Sequence, residues 1–207
     1  MSDLEIPQLY LISPAQLEPA RFAPLLERVL DAVPIACIRL ALASHDEDVQ
    51  IRAADTLRQI AHARDIPLVI DDHFLLAARL GLDGVHLTDG ARRVRKARAE
   101  LGSDAIVGAF CAASRHEGLT AGEAGADYVA FGPVGSDALG DGSRAEAELF
   151  EWWSQMIEIP VVAEGALDST HMRALAPHTD FFALGEEIWR EDDPAGALKA
   201  LAETLAP

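Results

Sequence analysis

Gly81-Leu82-Asp83-Gly84-Val85-His86-Leu87 is echoed twice later in the chain, by Gly125-Ala126-Asp127-Tyr128-Val129-Ala130-Phe131 and by His178-Thr179-Asp180-Phe181-Phe182-Ala183-Leu184. Each copy follows an amphipathic stretch and runs from a tight turn through an acidic residue into an apolar run. Helix, turn and buried strand make one half of a β/α unit. Its repetition predicts a parallel sheet built from repeated crossovers.

Outward from these repeats, eight short apolar runs alternate with helical stretches: residues 8–13, 36–42, 67–72, 84–88, 105–111, 128–134, 160–165 and 181–185. They are continuous and rich in Val, Ile and Leu, as strands covered on both faces must be. Eight such strands close a (β/α)8 TIM barrel, and a chain of 207 residues sits at the small end of that class, with lean loops. The reading is one domain over residues 1–207.

The helical stretches agree. Val49, Ala53, Leu57 and Ile60 recur at helical spacing within 46–63, and a further helix is read over 73–80. Pro19 and Pro24 predict that the helix within 15–31 is broken or begins after a turn. Ser114 with Glu117 reads as a capping box, Asp168 as an N-cap, and Asp193-Pro194 as the start of the last helix. Residues 135–143 read as a longer, irregular loop.

Composition narrows the class of function. Half of the residues are hydrophobic, and no stretch approaches the roughly 18 to 20 apolar residues that span a bilayer, so no membrane partner is expected. Residues 1–10 carry no basic-then-apolar leader, which predicts a cytoplasmic protein with Cys37 and Cys111 as reduced thiols. A net charge of −17, from 34 acidic and 17 basic residues, argues against nucleic acid as a partner. The basic cluster Arg92, Arg93, Arg95, Lys96 and Arg98 reads as a solvated helix face, unless its first members stand near the barrel mouth and reach an anion. The oligomeric state stays open, a homo-oligomer included.

Active sites of such barrels lie at the C-terminal strand ends. Here these ends bring Ser13, Arg39, Asp71, Asp72, His86, Asp89, Cys111, Gly132, Pro133, Glu164, Gly165, Gly185, Glu186 and Glu187 to one rim. Asp71 and Asp72 would repel each other unless one is protonated, hydrogen-bonded or bound to a cation. Mg²⁺ on Asp72 is one reading; a cap for the helix after His73 is the other. Thiol chemistry by Cys111 with His86 as base requires their strand ends to come within hydrogen-bond reach. The plainer readings are a core cysteine and a histidine bonded to backbone.

Five strings, in order along nearly the whole chain, carry a resemblance: Leu9-Tyr10-Leu11-Ile12; Val69-Ile70-Asp71-Asp72; the Asp-Gly-Val-His-Leu core of residues 80–87; Gly125-Ala126-Asp127-Tyr128 followed by Gly132-Pro133; and Ile159-Pro160-Val161-Val162-Ala163. Together they resemble the thiamine phosphate synthase family, which includes the TenI-type thiazole tautomerases. The resemblance implies a transferase that joins a pyrimidine-methyl diphosphate to a thiazole phosphate, with Mg²⁺ and basic groups stabilising the departing pyrophosphate. It implies Asp72 as a metal ligand, Asp71 at the place of an asparagine, and Arg39 as the second-strand arginine. Arg39, Asp72 and Cys111, the last at the place of a serine, would be catalytic. Tyr10, Asp71, His86, Gly132, Glu164, Gly165 and Gly185 would bind substrate.

Departures from the family pattern are concentrated at the rim. Thr88-Asp89-Gly90-Ala91 stands where the family usually reads Gly-Gln-Glu-Asp, so Ala91 replaces a second metal aspartate, and Asp89 serves as a ligand only if the loop shifts. Cys37 and Ala41 replace a glutamine and a lysine, and residues 134–142 carry two aspartates in place of a threonine-rich, lysine-ending loop. Glycine-rich turns after strands seven and eight hold the thiazole phosphate in the family. Here they read Ala163-Glu164-Gly165-Ala166 and Gly185-Glu186-Glu187, and Glu164 is expected to oppose that phosphate. Two functions stand side by side: a synthase or close variant, and a barrel that has lost the chemistry and serves as a small-molecule binding or regulatory protein.

Overall fold

The computed structural model describes residues 6–135 and 144–206. Eight parallel strands close into one barrel in chain order: β1 (Gln8–Ile12), β2 (Cys37–Leu40), β3 (Leu68–Asp71), β4 (Gly84–Leu87), β5 (Ile106–Phe110), β6 (Tyr128–Phe131), β7 (Val161–Glu164) and β8 (Phe181–Leu184), the last pairing with β1. Helices fill the crossovers: α1 (Pro19–Leu30), α2 (Glu47–His62), α3 (Phe74–Leu80), α4 (Val94–Leu101), α5 (Arg115–Glu123), α6 (Ala147–Met156) and α7 (Ser169–Leu175), with a short α8 (Glu186–Trp189) before α9 (Pro194–Ala202). The expected single (β/α)8 barrel is the observed architecture. Part of the sixth crossover, residues 136–143, lies outside the described residues, as do its two aspartates.

The acidic residue of each repeat has a structural task. Asp83, Asp127 and Asp180 stand just before β4, β6 and β8, and each accepts the backbone N–H of Leu68, Val107 or Val161 on the preceding strand at 2.7 Å. Each also donates its own N–H to the carbonyl of that same residue, at 2.8–3.0 Å. A charge-assisted bond to backbone N–H is stronger than a neutral one, so the motif pins strand register at the closed end of the barrel.

Pro19 occupies the first helical position of α1 after a turn, and the Glu18 carboxylate accepts from Ala20 and Arg21 N–H. Pro24 does not break α1, contrary to one expectation. Phe22, Leu26, Val29 and Leu30 are buried along one face and hold the helix across the missing hydrogen bond. Ser114 caps α5 by accepting Glu117 N–H at 3.2 Å, while the Glu117 carboxylate reaches Ala91 N–H. Only half of a capping box forms.

Alternation along the strands sorts side chains into two cores. Leu9 and Leu11 of β1 face the helices, in an outer layer that includes Leu26, Leu57, Phe131, Phe150 and Trp153. Tyr10 joins Cys37, Val69, Tyr128, Ala130, Val162 and Ala183 inside the barrel. A Cβ at Gly108 would lie 2.0 Å from Tyr128 Cζ, so only glycine on β5 leaves room for that ring.

Candidate active site

Arg39, near the end of β2, points into the barrel and is 8% exposed. Its Nη1 donates to Glu164 Oε2 of β7 at 2.8 Å and to His86 Nε2 of β4 at 2.9 Å, while Nε stands 3.4 Å from Asp71 Oδ1 of β3. A guanidinium only donates, so Nε2 of His86 is the acceptor and Nδ1 carries the proton. Nδ1 therefore donates to the Tyr128 hydroxyl at 2.8 Å, and Tyr128 donates to Tyr10 Oη at 2.8 Å. Five strands thus share one directional chain of hydrogen bonds whose head is Arg39. Burial, then the neighbouring Arg39 charge, holds the His86 imidazole well below its ordinary range and keeps it neutral. Burial likewise raises both tyrosines.

Two carboxylates face one guanidinium here. Burial pushes Asp71 up to about 7; Arg39 pulls against this, and Glu164 and Asp72 add to it. Glu164 points inward to Arg39 rather than toward an anion at the rim, which corrects its expected opposition to phosphate. The physical reason is that the buried Arg39 needs a close counter-charge.

At the rim, Asp72 has φ +60° and its side chain does not cap α3. Its oxygens instead accept Thr88 N–H at 3.0 Å and Thr88 Oγ1–H at 2.6 Å, and pair with Arg93 Nη2. Arg93 Nε also pairs with Asp89 Oδ2 at 2.7 Å. Partial burial would raise Asp72, but the Thr88 bonds and the Arg93 charge outweigh it and hold the carboxyl below its ordinary value. Arg93 of the basic cluster therefore reaches the barrel mouth and does not merely face solvent. A groove of about 420 Å³ opens beside Asp72, past His45, Gln50, His73, Leu75 and Arg79.

Asp72 and Asp89 converge on one cationic group, which fits a site for a hard cation carried in by phosphate oxygens. Mg²⁺ commonly takes one or two carboxylates with substrate oxygens. Among the described residues no group of three His, Cys, Asp or Glu could hold a metal without such help.

Cys111 is a correction. Its Sγ lies in the outer core, 3.5 Å from the Ala109 carbonyl, while both nitrogens of His86 are engaged elsewhere. Burial, with Glu117 nearby, pushes the thiol up to about 12, so it is not a nucleophile. Tyr10 and His86 are buried inside the barrel and join Arg39 through the hydrogen-bond chain. Gly132 and Gly165 let the β6 and β7 turns touch: a Cβ on Gly132 would meet the Glu164 carbonyl at 2.4 Å, and one on Gly165, where φ is +88°, would meet Pro133 at 2.9 Å.

The turns after β7 and β8 present Leu167 N–H and Gly185 N–H, and both donate to Glu187, at 3.1 and 2.7 Å. Sequence reading placed Glu187 at the rim without this role, raised Arg93 only as a member of a basic cluster that could reach the mouth, and missed Tyr128 as a working residue. A tyrosine on the inward phase of β6, beside alanines, is the signal that marks Tyr128.

The fold and the charged strand ends define a (β/α)8 barrel with its candidate site at the C-terminal mouth. Residues 9–188 match the family model described as thiamine monophosphate synthase. The chain belongs to that family. It is 40% identical to the thiamine-phosphate synthase of Rhodospirillum centenum over 95% of both chains, and 40% identical to that of Erythrobacter litoralis over 100% of this chain and 99% of the other. Among solved structures it is similar to the thiamine phosphate pyrophosphorylase from Pyrococcus furiosus, with a TM-score of 0.83, 25% identity, and coverage of 96% and 95% of the two chains.

Proposed function

We propose that the chain is a transferase of thiamine biosynthesis that joins a pyrimidine-methyl diphosphate to a thiazole phosphate at the barrel mouth, releasing pyrophosphate. One observation carries the reading: Arg39, fixed from below by His86 and Glu164, stands on one side of the Asp71-Asp72 pair, with Arg93 on the other. Fixed positive charge at the place where a diphosphate leaves is what such a reaction needs, because charge develops on the leaving group. Asp72 and Asp89 would hold Mg²⁺, which when bound offsets the charge of the diphosphate. Arg93, already between these carboxylates, would turn toward the diphosphate as the ion enters. His86, held neutral with Nδ1 protonated, keeps the Arg39 fork oriented throughout.

The family membership of the chain favours this enzymatic reading over a binding barrel. Small phosphorylated molecules are its expected partners, and no described helix is long and apolar enough to cross a membrane. We further infer a cytoplasmic location, in keeping with the reduced cysteines.

The test is pyrophosphate release from the pyrimidine diphosphate and thiazole substrates with Mg²⁺. The intact chain is expected to turn over and Arg39→Ala to lose at least about a hundredfold, in line with removal of a fixed charge-stabilising donor. Binding of both substrates without release would instead establish the binding barrel.

A further inference from the structure

We propose that Gln50, a buried residue of α2, is a positioning residue for the coupling reaction: through His73 it fixes Asp72 in the backbone conformation from which its carboxylate meets Mg²⁺. The proposal rests on the Mg²⁺ reading above.

Asp72 occupies the centre of a very tight turn. The Asp71 carbonyl accepts His73 N–H at 2.6 Å, a bond between residues two apart that closes around Asp72, whose φ is +60°. Turns of this kind with a positive central φ are rare and strained. A residue held there persists only where its surroundings over-determine it. One restraint comes from Thr88, in the turn after β4, which donates to the Asp72 carboxylate through its N–H and its hydroxyl. That restraint acts on the side chain alone. The backbone on the far side of the turn is left to His73, which begins α3 but makes no capping bond with its side chain. Its Nε2 instead lies 2.9 Å from Gln50 Nε2.

Gln50 stands near the start of the long helix α2 and is 3% exposed, whereas every other buried position of that helix is Ala, Leu or Ile. Its Nε2 also lies 2.7 Å from the Ser44 carbonyl. A carbonyl only accepts, so the amide nitrogen faces Ser44, and the same NH₂ group must donate to His73 Nε2. Both donors are thus engaged, one on the loop after β2 and one on the turn that carries Asp72. Gln50 Oε1 is buried with no partner among the described residues, a cost that an apolar side chain at this position would not carry. The amide gives in return a brace from a rigid helix to the two segments that follow Arg39 and Asp71. Groups that orient a metal ligand from behind typically change metal affinity by about 10- to 100-fold when they are removed.

The experiment is a calorimetric titration of Mg²⁺ in the presence of saturating inorganic pyrophosphate, with the wild-type chain, Gln50→Ala, His73→Ala and His73→Gln, each verified as folded by circular dichroism. Both alanine variants are expected to bind Mg²⁺ about tenfold more weakly or worse. His73→Gln, whose side-chain carbonyl accepts from Gln50, is expected to recover the affinity. In the coupling assay, kcat of the alanine variants should fall at low Mg²⁺ and return as Mg²⁺ is raised, with KM for the thiazole phosphate unchanged; a general loss of fold would not answer to Mg²⁺ in this way. The His73 side chain is exposed, so His73→Ala decides the question even where Gln50→Ala fails to fold. An Mg²⁺ affinity unmoved in His73→Ala overturns the proposal. A loss that His73→Gln does not recover also overturns it, because the imidazole would then itself be a ligand. If the wild-type chain takes up no Mg²⁺ with pyrophosphate present, the Mg²⁺ reading fails and this inference falls with it.

Discussion

Arg39 Nη1 donates to Glu164 Oε2 across 2.8 Å of barrel interior, joining the end of β2 to the end of β7. The guanidinium is buried, with the Glu164 side chain only 13% exposed, so neither charge is well solvated on its own. Removing one member of such a pair leaves the other unpaired in a poor solvent, which typically costs about 3–5 kcal/mol. Glu164→Ala should lose stability of that order in urea unfolding, and phosphate affinity should not rise. A variant as stable as wild type would show that Asp71 suffices as counter-ion.

Tyr128→Phe removes the acceptor of His86 Nδ1–H and the donor to Tyr10 at one stroke. The imidazole N–H is then buried without a partner, a penalty of about 1–3 kcal/mol. Gly108→Ala attacks the same ring from behind, since its Cβ would stand 2.0 Å from Tyr128 Cζ. Overpacking of this kind costs about 1–3 kcal/mol or more. Because Tyr128 supports Arg39 only through His86, both variants should also lower kcat.

Asp71 supplies a pH dependence with a definite sign. Its folded pKa is raised to about 7, so the fold favours the protonated carboxyl. The stability this gives is full below the unfolded value of about 3.9 and is lost as pH rises through about 7. Asp71→Asn stays neutral at every pH. Its melting temperature relative to wild type should therefore climb between about pH 4 and pH 8, as the linkage requires. A constant difference across that range would place the proton elsewhere.

Cys37 and Cys111 are both pushed up to about 12 by burial. Only the thiolate reacts, so in the native state neither should take up iodoacetamide at pH near 8, whereas both should react in denaturant. Rapid labelling of Cys111 in the folded chain would reopen it as a nucleophile.

The barrel was legible in the sequence because a buried parallel strand leaves a short continuous apolar run, and because an acidic residue precedes three of the eight strands. Asp83, Asp127 and Asp180 bond to backbone on the neighbouring strand, so their positions are dictated by local geometry. The rim was legible as a list of residues at strand ends. Which of them meet was not. Tyr10 and Tyr128 lie 118 positions apart, and Arg39 and Glu164 lie 125 apart, and each pair is brought within 2.8 Å by barrel closure.

Apolar periodicity, turn residues and the repeated Asp thus determined the fold class, the strand order and the end of the barrel that carries the site, because these depend on interactions between near neighbours along the chain. The tertiary structure alone decided where each charge points. Glu164 turned inward because Arg39 is buried and needs a counter-charge. Glu187 took the backbone donors because the β7 and β8 turns lie side by side. Cys111 fell to the outer core because the strand alternation that puts Tyr10, Cys37 and Tyr128 inside the barrel leaves it on the helix side.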